Sequence, residues 1–257
     1  MPSLQHFLLG VFLLILLTAP GHQASADQDP ELQRILKAHV DAMGGWRAWN
    51  KVESIRLTGT IERDDQLFDY CLIKKRTDKI RMTITMPLPG EDKEEVQLIR
   101  AFDGEYAWTA TRLAGADDHL KQELLGIETA TDLASDANVM PQLMSYIFEG
   151  HYFTLEESDD YTGHIINCYP DRENEASFFQ FHICAQNYTV DFYHTVLAEA
   201  IVSTTTHLSY ETKNDLQIPN QLLVDAAGTG STTMLIDSIE LGVGIYDAYF
   251  SPLPIQQ

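Results

Sequence analysis

The stretch Ala101-Phe102-Asp103-Gly104-Glu105-Tyr106-Ala107-Trp108 decides the fold class, because it sets an Asp-Gly turn between two runs of alternating side chains. An Asp-Gly pair tolerates the positive φ angles that a two-residue hairpin needs. Val96, Leu98, Arg100 and Phe102 before the turn, and Tyr106, Trp108 and Ala110 after it, keep a period of two. The chain folds back on itself here, so the sheet is antiparallel. The same period runs upstream through Ile55, Leu57, Gly59 and Ile61, then Phe68, Tyr70 and Leu72, then Ile80, Met82, Ile84 and Met86, which makes a five-strand meander.

Before the meander, Asp29 is placed to cap a helix that starts at Pro30, carries Leu32, Ile35, Leu36, Val40 and Met43 on one face, and stops at Gly44-Gly45. After it the period changes. Leu120, Leu124 and Leu125, and then Met140, Leu143, Met144, Ile147 and Phe148 around Pro141, predict short helices. Strand patterning returns at 151–157, 164–169, 178–185, 189–194, 201–210, 218–225 and 232–241. A sheet this long curls, and its inner face needs a second layer or a cover of helices.

Residues 1–26 read as a secretory signal peptide, with an apolar run from Phe7 to Leu17 and a small-x-small cleavage signal, Ala24-Ser25-Ala26. The run is shorter than the roughly 20 residues of a spanning helix, and Pro20-Gly21 breaks its end, so cleavage after Ala26 is expected. Residues 27–257 are then one domain, with no linker or repeat dividing them. With 17 basic and 38 acidic residues the chain carries a formal charge of −21, which opposes binding to phosphate backbones and anionic lipid surfaces.

Of the three cysteines, Cys168 and Cys184 lie on neighbouring strand-like segments and are able to pair in an oxidising compartment, leaving Cys71 as a buried apolar residue; the register of the two strands decides the matter. His164 and His182 lie nearby, but without a tight paired motif they are expected to be ordinary strand residues and not metal ligands. Gly228-Thr229-Gly230-Ser231-Thr232-Thr233 lacks the lysine and the following helix of a phosphate loop and reads as a hairpin turn. There is no G-x-S-x-G elbow and no H-E-x-x-H helix. The acidic runs Glu94-Glu95, Glu156-Glu157 and Asp159-Asp160 read as solvated faces, and an enzymatic reading would have to rest on His164, His182 and His194. What remains is apolar. Met82, Ile84, Leu98, Phe102, Trp108, Met140, Met144 and Phe148 are the residues expected to line a concave cavity under short helices, suited to a lipid-like ligand.

The order of features resembles the outer-membrane lipoprotein-sorting proteins, the LolA/LolB-like superfamily. The resemblance rests on the helix ending in Met43-Gly44-Gly45, the Lys75-Arg76-Thr77-Asp78-Lys79-Ile80-Arg81 segment, the Asp103-Gly104 hairpin with Trp108, the helical insert, and the ending Ala248-Tyr249-Phe250-Ser251-Pro252. It implies a mainly β fold, an incomplete antiparallel β-barrel or half-barrel of about eleven strands lidded by short helices, whose apolar interior receives acyl chains in the periplasm. It also implies that Arg76 controls the lid, although Thr77 replaces the proline of the family's Lys-Arg-Pro-Asn segment. The function it implies is a carrier without catalysis or cofactor, monomeric, whose partners are lipid or lipoprotein acyl chains and an envelope membrane protein as donor or acceptor. The alternative is a regulatory module of the cell envelope that senses a lipid-like ligand.

Overall fold

β-branched and aromatic residues at alternate positions hold Ser54–Arg63 (β1), Gln66–Lys75 (β2), Lys79–Pro87 (β3), Glu95–Phe102 (β4) and Ala107–Leu113 (β5) extended, each pairing antiparallel with the next. The computed structural model describes residues 29–88, 94–116, 121–157, 160–170, 172 and 175–252. The proposed signal peptide, Leu120 and Asp159 lie outside the described residues.

The hairpin between β4 and β5 differs from the expected turn by one position. Phe102 pairs with Ala107, Asp103 N–H donates to Tyr106 O at 3.2 Å, and Gly104 takes φ +100°. Asp103 is therefore not a central turn residue. Its carboxylate accepts the N–H groups of Glu105 (3.0 Å) and Tyr106 (2.7 Å), a cap that a short acidic side chain makes readily.

The helical insert also differs. Lys121–Leu124 (β6) is a strand, and Thr109 and Thr111 of β5 face its Glu123 and Lys121. Helices follow at Ile127–Asp136 and Gln142–Glu149, on either side of Pro141. The later strands are Tyr152–Glu156 (β7), His164–Tyr169 (β8), Ser177–Ile183 (β9), Val190–Leu197 (β10), Ala200–Lys213 (β11), Leu216–Ala226 (β12) and Gly230–Leu241 (β13). All thirteen form one antiparallel sheet, in the order β6-β5-β4-β3-β2-β1-β13-β12-β11-β10-β9-β8-β7. Among the described residues the sheet ends in two edges and does not close into a barrel, and the expected eleven or so strands number thirteen.

The first helix, Pro30–Ala42 (α1), begins where expected, with Asp29 Oδ1 accepting from Glu31 N–H at 2.9 Å. It stops at Met43, followed by Gly44 with φ +105°, where a Cβ would press on the backbone of Asp215 and Leu216. A single turn, Trp46–Trp49 (α2), follows. Ile127–Asp136 is α3, Gln142–Glu149 is α4, and Asp247–Tyr249 is a 3-10 turn. Among the described residues no helix is long and apolar enough to cross a membrane.

The chain divides into two compact units. One holds Val52–Val139 and the chain from Leu235 onward; the other holds α1, α2 and Met140–Met234. In the second unit Leu32, Ile35, Leu36 and Val40 of α1 and Leu143, Met144 and Tyr146 of α4 are buried, as are Phe153, Ile166, Cys168, Phe179 and Phe181 of the strands. Tyr146 packs its ring 5.1 Å from Phe179, centre to centre.

Candidate functional site

Residues opposed in an antiparallel pair point to the same face, so the strand register sorts every side chain of the β1–β5 unit. One face carries four rows that cross the strands: Ile55, Lys74, Ile80, Phe102 and Ala107; then Leu57, Leu72, Met82, Arg100 and Thr109; then Gly59, Tyr70, Ile84, Leu98 and Thr111; then Ile61, Phe68, Met86, Val96 and Leu113. This face is apolar apart from a few positions, and α3 packs on β3, β4 and β5. Met82, Ile84 and Phe102 are buried on it, while Leu57, Leu72 and Leu98 keep partial exposure. Four of the expected cavity residues, Met82, Ile84, Leu98 and Phe102, are therefore brought together.

Trp108 is not with them. It pairs with Ala101, which places it on the opposite face with Ile99 and Ala110 as a closed core cluster. Its indole Nε1–H donates to Phe250 O at 2.7 Å, and Arg81 sits over both its ring (5.5 Å) and that of Tyr249 (4.2 Å). The Trp108 side chain thus fastens the C-terminal segment to the outer face and lines no cavity on the inner one. Also on the outer face is a groove of about 420 Å³ lined by polar side chains that include Asp69, Thr83, Gln97 and Arg112. Arg112 Nε donates to Gln97 Oε1 at 2.8 Å across it, and Cys71, expected to be buried, is half-buried in its lining, where desolvation raises the pKa of its thiol.

Met140 and Met144 are buried in the other unit. Phe148, the remaining expected cavity residue, is 58% exposed, with its ring 6.0 Å from Trp46; it follows the solvent side of a short helix whose apolar face is taken by Leu143, Met144 and Tyr146.

Sequence reasoning overlooked a charged group under α3. Lys74 and Arg100 stand at inward positions of β2 and β4, and the negative charges of Asp132 and Asp136, one turn apart on α3, act on them electrostatically. Lys74 Nζ also donates to Asn138 O, just beyond the helix, at 3.1 Å. Burial raises the pKa of Asp136 to about 6, against the opposing pull of Lys74 and Arg100 and with a further push from Asp132. The signal in the sequence is a cation inside an inward series, as in Val96, Leu98, Arg100, Phe102. Arg76, by contrast, lies at the turn after β2, where its Nε donates to Val52 O at 2.9 Å and its N–H to Glu53 O at 2.9 Å.

The cysteines are free. Cys168 opposes Phe179 and His164 opposes Ile183, so Cys184 lies five residues past the partner of Cys168, about 17 Å along the strand and far beyond the reach of a disulfide. The histidines are divided too. His164 shares a face with Ile166 and Cys168, while His182 and His194 point to the other, with ring centroids 5.3 Å apart. His182 stacks on Phe192 at 4.0 Å, and burial lowers its pKa to about 4. Beside them Glu156 Oε2 accepts from Asn167 (3.0 Å) and Gln180 (2.9 Å). Among the described residues no three His, Cys, Asp or Glu side chains come together as a metal would require.

An open antiparallel sheet with an apolar face partly covered by a short helix defines the class of β fold. The particular fold is LolA-like. Two solved structures are similar to this chain over most of its length. One is a LolA superfamily protein, NE2245, from Nitrosomonas europaea, 15% identical, with a TM-score of 0.52 over 86% of this chain and 97% of that one. The other is a DUF1329 family protein from Desulfovibrio piger, 11% identical, with a TM-score of 0.52 over 85% of this chain and 96% of that one. No protein-family profile matches the sequence, and no curated protein is significantly similar to it.

Proposed function

We propose that the protein is an exported carrier that binds an acyl chain against the inner face of β1–β5, beneath α3, without catalysing a reaction on it. The observation that carries this reading is the four-row apolar face, in which Leu57, Leu72 and Leu98 remain partly exposed while α3 packs on β3, β4 and β5. The LolA-like fold supports the same class of ligand. Burying a chain is worth about 0.8 kcal/mol per methylene. Loosening α3 gives up the Lys74–Asn138 bond, worth about 1 kcal/mol, together with the packing of the buried Leu133, and the buried chain has to outweigh both.

The finer role is participation in outer-membrane lipoprotein sorting in the periplasm, after cleavage of the signal peptide behind Ala26, with an envelope membrane protein as donor or acceptor and the carrier itself a monomer. Arg76, assigned to lid control by the resemblance, acts from the turn that follows β2, and Arg76→Leu is expected to change ligand release more than folding. Native mass spectrometry of the protein purified from its own periplasm is expected to find bound lipid or lipoprotein. Repeated recovery of protein free of both, together with failure to bind a fluorescent fatty-acid probe, overturns the reading.

A further inference from the structure

Two cations stand on the inner face where the strand alternation otherwise sets apolar side chains. The inward series of β2 is Phe68, Tyr70, Leu72, Lys74, and that of β4 is Val96, Leu98, Arg100, Phe102. Packing alone would favour a leucine at either place, because a charge withdrawn from water loses its hydration. Desolvation accordingly pulls the pKa of both cations down. In the closed arrangement α3 supplies the compensation. Asp136 acts on both Lys74 and Arg100, and Asp132 acts on Arg100.

On the carrier reading α3 lifts to admit a chain, and that compensation is then lost, since both carboxylates belong to this helix. Lys74 and Arg100, held by the strands, are then left facing the ligand in apolar surroundings. Withdrawing the counter-charge from a partly buried cation costs more than never having placed the cation there. A ligand that brings its own anion restores the balance, and an uncharged ester, amide or alcohol does not. The ammonium and the planar guanidinium together suit an oxyanion. From this end of the face, the inward positions of β3 run from Ile80 to Met86, about 20 Å at 3.3 Å per residue, the length of an extended chain of about sixteen carbons.

We propose that Lys74 and Arg100 form the headgroup site for a single-chain amphiphile carrying a carboxylate or phosphate, which takes the place of Asp132 and Asp136 as the helix opens. The inference rests on the carrier reading and adds the headgroup to it. The test is displacement of the uncharged probe N-phenyl-1-naphthylamine from the full exported chain at pH 8 by palmitate, hexadecyl phosphate, hexadecanol and methyl palmitate.

The expected result is that at least one of the two anions binds about tenfold or more tighter than hexadecanol, and that the ratio collapses toward one in Lys74→Met and in the Lys74→Met/Arg100→Met pair. Preference for palmitate assigns a carboxylate, and preference for hexadecyl phosphate assigns a phosphate. Asp136→Asn, which leaves the cations short of an anion in the closed state as well, is expected to raise the affinity for the preferred anion several-fold. This variant keeps the test decisive if Lys74→Met fails to fold, which circular dichroism reports. Equal binding of all four amphiphiles overturns the headgroup site and leaves the carrier standing. Binding of none overturns both.

Discussion

Replacing Trp108 with phenylalanine separates a role in the fold from a role in ligand binding. Trp108 is fully buried on the outer face, and its indole N–H meets the carbonyl of Phe250, itself a buried residue, at 2.7 Å. Losing that bond removes about 1 kcal/mol, and leaving the carbonyl without a partner adds roughly 1 kcal/mol or more. The missing ring atoms leave about 40 Å³, which at about 24 cal/mol per Å³ adds about 1 kcal/mol. The loss comes to about 3 kcal/mol, read as a lower urea midpoint with unchanged slope in equilibrium unfolding. The same variant, held under folding conditions, should bind a fluorescent fatty acid as the parent does, because the inner face carrying Met82, Ile84, Leu98 and Phe102 is untouched. The assignment of faces would be refuted by an affinity that drops tenfold while stability stays within 1 kcal/mol of the parent.

Acidification should destabilise the protein between about pH 6.5 and 4. Burial lowers the pKa values of His39, His182 and His207 to about 4; each is neutral in the fold and takes up a proton first in the unfolded chain, so its stabilisation is lost as pH falls through that window. Asp136, raised to about 6 by burial, works the other way and gains stability as pH falls from 6 toward 4, but it is one group against three. A urea midpoint that rises on going from pH 6.5 to 4 would contradict this balance, and His39→Gln should make the fall shallower. Gly59→Ala should cost several kcal/mol or prevent folding, since the added Cβ would fall on the carbonyl of Leu235; a thermal midpoint within a degree or two of the parent would show that the strands do not approach so closely there.

The period of two was enough to find nearly every strand, since Ile80, Met82, Ile84 and Met86 alternate with Lys79, Arg81, Thr83 and Thr85 as plainly in the sequence as on the sheet. The edge strand Lys121–Leu124 escaped because it is short and polar, and its Leu124 falls in a leucine cluster that a helix would equally explain. The true face of Trp108 was within reach. An even number of loop residues pairs even with odd positions across the hairpin, so Trp108 joins Ile99 and Ala101 whether the turn is centred on Asp103-Gly104 or one residue later. Only counting across the turn reveals it, whereas apolar character alone groups Trp108 with Phe102.

The charged cluster was legible in one half and hidden in the other. Lys74 and Arg100 interrupt inward series that the alternation defines, and a cation at such a place asks for an anion. Which anion answers is a matter of tertiary packing, because Asp132 and Asp136 are separated from β4 by a hairpin, an edge strand and a loop. In so acidic a chain two more aspartates carry no signal of their own. They acquire meaning once α3 is seen to lie over β3, β4 and β5 with those two carboxylates one helical turn apart. A charge out of step with the apolar series of its strand is therefore the feature to look for in a divergent half-barrel: the sheet fixes where it stands, and the helix packed over it carries the opposing carboxylates.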